Sequence, residues 1–318
     1  MILITGGLGF IGSHTARALL DRGEDCVLTQ RRDAGPTPLF PDEVGKRVFL
    51  EQVDVTDLGA LFEVGERHRI TGIVHLAGAY FGDPLTDART NIDQLLNVFE
   101  AAKTWGVRRV GVASSVGVYD GDDASPLLES SPLPLSAHHP IGSSKKVNEV
   151  LASYLGQPLD LEIYSARISA IWGPLGRPIS RFFATPQLIR AAAAGEEPDF
   201  SALPGGRPPH AADGFDMMYV RDCGRALAAL QLAAHLEHGV YNVASGRATT
   251  YQELVDAIAV ALPGTKLALP EGHDEELPLP RIFLDISRLR QDAGYEPAYD
   301  TERAVADYIA WLRAGNEQ

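Results

Sequence analysis

The chain has 318 residues, 45% hydrophobic and 22% charged, which is ordinary for a globular protein with chain enough for a sizeable core. A formal net charge of −14 excludes general attraction to nucleic acid or an anionic membrane, so a phosphate-bearing ligand needs a local pocket. Two cysteines, Cys26 and Cys223, exclude a disulfide framework and a cysteine-rich metal site. The run Ile2-Leu3-Ile4 is too short for a signal peptide and no stretch approaches membrane-spanning length. The expectation is a cytoplasmic protein with no metal, no nucleic-acid partner and no membrane partner.

In chain order, residues 2–5 (ILIT) read as a buried strand, and 11–22 as a helix with Ile11, Thr15 and Leu19 on one face. Strands are predicted at 26–29, 48–50, 72–78, 109–115 and 161–168, and helices near 57–68, 88–104 and 141–155. This alternation predicts an α/β fold with a parallel sheet covered on both faces. The second half is less regular. Residues 173–215 are rich in Gly and Pro around a helix at 180–194, strands at 217–220 and 239–245 flank a helix at 222–235, and helices follow at 250–261 and 301–313. That half is expected to fold onto the sheet as a lobe.

Residues 4–14, ITGGLGFIGSH, set Gly6, Gly9 and Gly12 between the first strand and the first helix. Glycines allow a tight turn and a close approach to a pyrophosphate, and the helix N-terminus offers free N–H groups and a partial positive charge. The position of the triplet, after a strand and before an amphipathic helix, points to dinucleotide binding.

Thr5-Gly6-Gly7-Leu8-Gly9-Phe10-Ile11-Gly12 resembles the TGGxGxxG fingerprint of the extended short-chain dehydrogenase/reductase family, the NAD(P)-dependent epimerases and dehydratases. Further landmarks follow in order. Asp54-Val55 resembles the pair that contacts adenine, and His75-Leu76-Ala77-Gly78 the strand end that passes the cofactor. Asn91, SSVGVY (114–119), RISAIWGP (167–174), MMYVRDCGRALAAL and YNVASGRATTYQELVDAI also resemble family segments, so the likeness covers nearly the whole chain. It implies a Rossmann-type doubly wound parallel sheet over residues 1–172 and a smaller mixed C-terminal substrate-binding lobe over 173–318, with about 216–245 packing back onto the first. It implies cofactor contacts at Gly6, Gly9, Phe10, Ile11, Gly12, Asp54, Val55, Leu76, Ala77, Gly78, Asn91 and Lys145. It also implies a homodimer paired through the helices near 88–104 and 141–155.

Cofactor choice is read at the end of the second strand. NAD-binding relatives place Asp or Glu there to bond the ribose hydroxyls, whereas here Gln30 is followed by Arg31 and Arg32. Loss of the carboxylate and gain of guanidinium groups favour NADP over NAD.

The family's active site combines Ser or Thr, Tyr and Lys. The Lys ammonium lowers the phenol pKa so that the Tyr exchanges a proton with a substrate oxygen. In this chain the Ser is Ser115, the Lys is Lys145, and Ile141 stands where the Tyr is expected. Pro140, Gly142, Ser144 and Glu149 hold that register. Ile has no exchangeable proton, which leaves three readings. Another group acts, with Tyr119, His138 and His139 as candidates; a water anchored by Ser115 and Lys145 acts; or the protein binds a dinucleotide without redox turnover, as a sensor or scaffold. The leading expectation is an NAD(P)-dependent oxidoreductase or epimerase acting on a hydroxyl- or carbonyl-bearing small molecule, with Ser115, Lys145 and Tyr119 as catalytic candidates.

The resemblance also bears on substrate. Val116-Gly117 stands where dehydratases carry Asp-Glu, Ala170 where epimerases place an Asn toward the nucleotide diphosphate, and the acidic segment 271–281 where a phosphate-binding Arg is often found. These departures argue against a UDP-sugar, although Arg177, Arg181, Arg207 and Arg281 remain candidates to meet an anion.

Overall fold

The computed structural model describes residues 1–31, 38–80, 82–122, 124–276 and 281–316. Arg32 therefore lies outside the described residues. The first half alternates β1 (Ile2–Thr5), α1 (Phe10–Leu20), β2 (Cys26–Gln30), β3 (Val48–Gln52), α2 (Leu58–Arg67), β4 (Gly72–His75), α3 (Pro84–Trp105), β5 (Arg109–Ser115), α4 (Pro140–Leu159) and β6 (Glu162–Ile168). Beyond it come β7 (Ala170–Trp172), α5 (Thr185–Ala194), β8 (Gly214–Phe215), β9 (Met217–Tyr219), α6 (Val220–Leu232) and β10 (Val240–Val243). The chain continues with β11 (Thr249–Thr250), α7 (Tyr251–Ala261), β12 (Arg281–Ile282), α8 (Ser287–Ala293) and α9 (Thr301–Arg313).

Seven strands form one parallel sheet in the order β10-β6-β5-β4-β1-β2-β3. Side chains alternate across a strand, and both faces here are apolar. Leu3, Val27, Ile73 and Val110 pack on one face with Leu95 and Phe99 of α3. Ile2, Ile4, Leu28 and Val74 pack on the other with Leu19 of α1 and Ala228 of α6. α1 and α6 cross so closely that a Cβ on Gly224 would lie 2.4 Å from the His14 carbonyl oxygen. β1 lies between β2 and β4, so successive strands are added on opposite sides of it. This is the switch point of a doubly wound sheet, where a crevice opens beyond the strand C-termini.

A second, smaller layer pairs β7 with β9 and orders β11-β8-β12, with α5, α7 and α9 around Trp172, Leu188, Tyr251, Leu254 and Tyr308. β10 returns to the main sheet beside β6. Cys26 and Cys223 are buried, free thiols. Among the described residues no helix is long and apolar enough to cross a membrane.

Several bounds differ from the sequence reading for local reasons. β4 stops at His75 rather than 78, because the Leu76 and Ala77 N–H groups donate to the Thr5 hydroxyl. α3 begins at Pro84 rather than 88, since Asp83 caps it by accepting from Thr86 N and proline suits the first turn. α5 begins at Thr185 rather than 180, because the Ser180 hydroxyl turns the chain by accepting from the Phe182 and Phe183 N–H groups.

Candidate active site

The crevice begins at the loop after β1. Gly6 adopts φ +66°, and a Cβ there would press on the Ala77 backbone. A Cβ on Gly12 would lie 2.4 Å from the Gly6 oxygen, so only glycine lets helix and loop meet. Gly9 caps α1 without a side chain, leaving the first-turn N–H groups of Phe10, Ile11 and Gly12 without a side-chain acceptor. Those donors, the helix dipole and the bare glycine surface fit a pyrophosphate.

β1 and β4 are locked together at this point. Thr5 pairs in register with His75, and the Thr5 hydroxyl lies 2.7 Å from His75 Nδ1. That oxygen also accepts the Leu76 and Ala77 N–H groups, so its own proton is directed to Nδ1 and the imidazole is neutral. Burial, with Lys145 nearby, lowers His75 to about 3, in keeping with that tautomer.

At the end of β2, Gln30 is half-buried and Arg31 is exposed. Asp54 Oδ1 accepts from Thr56 N and Oγ1, which fixes its carboxylate, and Val55 is buried with its carbonyl held by Asn97.

At the other end, Ser115 terminates β5 and its hydroxyl accepts from Gly117 N at 3.1 Å. The start of α4 presses onto this turn, and a Cβ on Gly142 would lie 2.5 Å from the Gly117 oxygen. One turn into α4, Lys145 is 7% exposed. Burial pushes its ammonium down to about 8, and no carboxylate among the described residues offsets the cost. Its Nζ sits 5.8 Å from the centre of the Tyr80 ring. Ile141 is half-buried, with its backbone N–H donated to His139 Nδ1.

Four sequence candidates, Asn91, Tyr119, His138 and His139, are placed as follows. The Asn91 amide is committed to backbone groups. It accepts from Ala79 N and donates to the Ala79 and Asp87 carbonyls, so it shapes the loop after β4. Tyr119 is 2% exposed, and its hydroxyl donates to Asn242 Oδ1 and accepts from Arg167, whose guanidinium stacks 4.7 Å from the ring centre. Burial, only partly opposed by Arg167, raises its pKa. This phenol is a structural link between β6 and β10 and is not open to a substrate. His139 caps α4 and packs edge-on to Phe182, while His138 is exposed.

Sequence reasoning missed two features. One is Tyr80, an aromatic two residues past Gly78 in HLAGAYF, where a loop leaving a strand at the switch point overlooks the crevice. The other is a buried network around Arg167, which bonds both oxygens of Glu149, while Ser114 also donates to that carboxylate. Glu149 lies one turn after Lys145 on α4; in the sequence it served only to hold the α4 register, and nothing local marks Arg167 as its partner.

The C-terminal lobe presents a pocket lined by Phe182, Leu203, Pro208, Phe215, Tyr251 and Ile282. Arg207 at its edge is tied to Asp274 at 2.8 Å and Glu276 at 2.6 Å. Arg177 and Arg181 are exposed, and the side chain of Arg281 lies outside the described residues. Among the described residues no group of three His, Cys, Asp or Glu side chains is placed to hold a metal.

The profile of the NAD dependent epimerase/dehydratase family matches residues 2–244. A UDP-glucose 4-epimerase of Azospirillum brasilense is 26% identical over 335 residues, covering 98% of this chain and 92% of the relative. The structure of a UDP-glucose 4-epimerase with UDP-glucose from Thermotoga maritima superposes with a TM-score of 0.81 at 21% identity, covering 99% of each chain. The enzyme WbmG of Bordetella bronchiseptica in complex with NAD superposes with a TM-score of 0.77 at 24% identity, covering 98% of this chain and 94% of that one.

A lysine whose pKa is lower folded than unfolded carries its full burial penalty below the folded value. The penalty is relieved as pH rises from about 8 toward the ordinary 10.5. Wild type should therefore gain up to about 3 kcal/mol relative to Lys145→Met between roughly pH 7 and roughly pH 10.5, measured by urea unfolding. A pH-independent gap between the two proteins contradicts the buried ammonium.

Proposed function

The chain belongs to the NAD dependent epimerase/dehydratase family, and from that premise we propose that it is a nicotinamide-dependent epimerase of a hydroxyl-bearing, sugar-like small molecule. The observation that carries the proposal is Lys145, a buried lysine with no carboxylate to offset it among the described residues, at the mouth of a glycine-walled crevice. Such a group costs stability, and a strongly perturbed titratable residue in a cleft is characteristic of a functional site. When bound there, the dinucleotide supplies an acceptor and donor of hydride. The α1 N-terminus holds its pyrophosphate, Asp54 the adenine, and Lys145 the nicotinamide ribose. Ser115 orients the substrate oxygen. The lobe over residues 173–318 closes over the substrate, and its pocket, aromatic and proline-lined with an acidic edge, suits a neutral tail better than a diphosphate.

Ile141 favours a second reading, dinucleotide binding without turnover, because it offers no proton at the usual place. Incubation with NAD+ or NADP+ and a panel of UDP-glucose, UDP-N-acetylglucosamine and free hexoses, followed by nuclear magnetic resonance of the sugars and absorbance of reduced cofactor, separates the two. Epimerised sugar or transient cofactor reduction is expected. Binding of the dinucleotide with neither signal, across a panel widened to other secondary alcohols, would favour the second reading.

We further propose NADP over NAD, on the basis of Gln30-Arg31-Arg32 at the end of β2. Exposed Arg31 is free of any carboxylate contact in the described structure that would compete with a 2′-phosphate. A charge-assisted hydrogen bond is worth about 1.5–3 kcal/mol, so Arg31→Ala should weaken NADP+ binding by roughly 10- to 100-fold in calorimetry and leave NAD+ unchanged. Equal losses, or none, count against the preference.

The protein is proposed to be a homodimer through α3 and α4. Leu85 and Leu96 on α3 and Val147, Val150 and Tyr154 on α4 form exposed apolar stripes, with Val150 69% and Tyr154 70% exposed. Two copies of this helix pair make an isologous four-helix contact. Light scattering should give twice the chain mass for wild type and the single mass for Val150→Glu/Tyr154→Glu. A monomeric wild type at micromolar concentration would refute the pairing.

A further inference from the structure

We propose that Tyr80 is the proton-transfer residue of this active site, a phenol supplied from the loop after β4 in place of the one absent at Ile141. The inference rests on the reading of the crevice as a nicotinamide site. Two placements carry it. Lys145 Nζ lies 5.8 Å from the Tyr80 ring centre, so the phenol shares the corner occupied by the buried ammonium. The ring covers Gly78, where a Cβ would lie 2.8 Å from Tyr80 Cε2 and 3.4 Å from its hydroxyl. Gly78 is therefore needed for the phenol to lie down over the strand end.

The described residues on either side of Tyr80 are tied to α3. Asn91 bonds both the N–H and the carbonyl of Ala79, at 2.9 and 2.6 Å. Asp87 accepts from Gly82 N at 2.8 Å. Both clamps stand on α3, so the backbone on either side of Tyr80 is fixed to a helix of the sheet layer. The rival groups are committed elsewhere, Tyr119 to Arg167 and Asn242, and His139 to the cap of α4.

Burial raises the Tyr80 phenol to about 12, against the pull of the Ser144 hydroxyl, so at neutral pH it is protonated and can act as an acid. A positive charge brought beside it favours the phenolate and lowers that value. In oxidation the substrate hydroxyl proton passes to the Tyr80 oxygen. In reduction it returns from that oxygen to the carbonyl, one proton for each hydride that a nicotinamide dinucleotide takes or gives. Lys145 stabilises the phenolate that oxidation requires at its start and that reduction regenerates.

The test is Tyr80→Phe, which keeps the ring over Gly78 and removes only the hydroxyl. First, calorimetry with NAD+ and NADP+ should give the same affinities for wild type and variant. Failure of wild type to bind either would overturn the nicotinamide reading, and this proposal with it. Second, the difference in phenolate absorbance between wild type and Tyr80→Phe isolates one phenol during an alkaline titration. Its midpoint should fall by at least about one pH unit when the oxidised dinucleotide is added. A midpoint that does not move overturns the proposal without bearing on dinucleotide binding. Third, for whichever substrate of the panel is turned over, kcat should fall about 10²- to 10⁴-fold with little change in KM. Ile141→Tyr in the Tyr80→Phe background should recover part of it. Full activity in Tyr80→Phe overturns the assignment.

Discussion

The buried ion pair between Glu149 and Arg167 is the constraint on which the rest of this site depends. Glu149 stands on α4 and Arg167 on β6, with side chains 8% and 5% exposed. Burial alone would lower the Arg167 pKa, but the bonds to Glu149 outweigh it and raise it, so the guanidinium stays charged. Two charges out of water are expensive, and apolar residues of similar size would often be as stable. What the pair provides is direction. Ser114 joins it from β5, Tyr119 from the turn beyond, and Asn242 from β10. Four elements are thereby held in one register, and Lys145, one turn before Glu149, and Ser115, next to Ser114, take their places from it.

A second lock holds the opposite side of the crevice. The Thr5 hydroxyl bonds His75 and two N–H groups of the chain leaving β4, which ends the strand and starts the loop carrying Gly78 and Tyr80. Asn91 and Asp87 finish that loop from α3. The glycine-loop end is thus a matter of bare backbone and glycine, whereas the end with Ser115 and Lys145 is a matter of side chains carried by two separately anchored elements. Such a division lets one end keep the family's form while the other changes its acid. Ile141 at the start of α4 and Tyr80 on the facing loop are on different anchors, so the exchange of one for the other needs no shift of either.

What was legible in the sequence was what is local. The alternation of strands and helices through 168, the glycine loop and the register of Lys145 all rest on residues close together in the chain. β7, β8, β11 and β12 have two or three residues each, too few for any periodic signal, and α8 was not foreseen. Asn91 was placed in the cofactor set by likeness and Tyr119 in the catalytic set by its position four residues after Ser115, yet their partners are the Ala79 backbone and Arg167 with Asn242. No spacing rule could have revealed those partners. Tyr80 escaped for the same reason, since its nearness to Lys145 arises only when the loop after β4 and the first turns of α4 come together in the fold.

A crystal structure with a nicotinamide dinucleotide bound is the measurement that tests this account most directly. The account predicts the pyrophosphate on the first-turn N–H groups of α1, the nicotinamide ribose bonded to Lys145 Nζ at about 2.9 Å, and the Tyr80 hydroxyl facing the nicotinamide across from Ile141. A ribose out of reach of Lys145, or a Tyr80 side chain turned away from the ring with another group in its place, would contradict it.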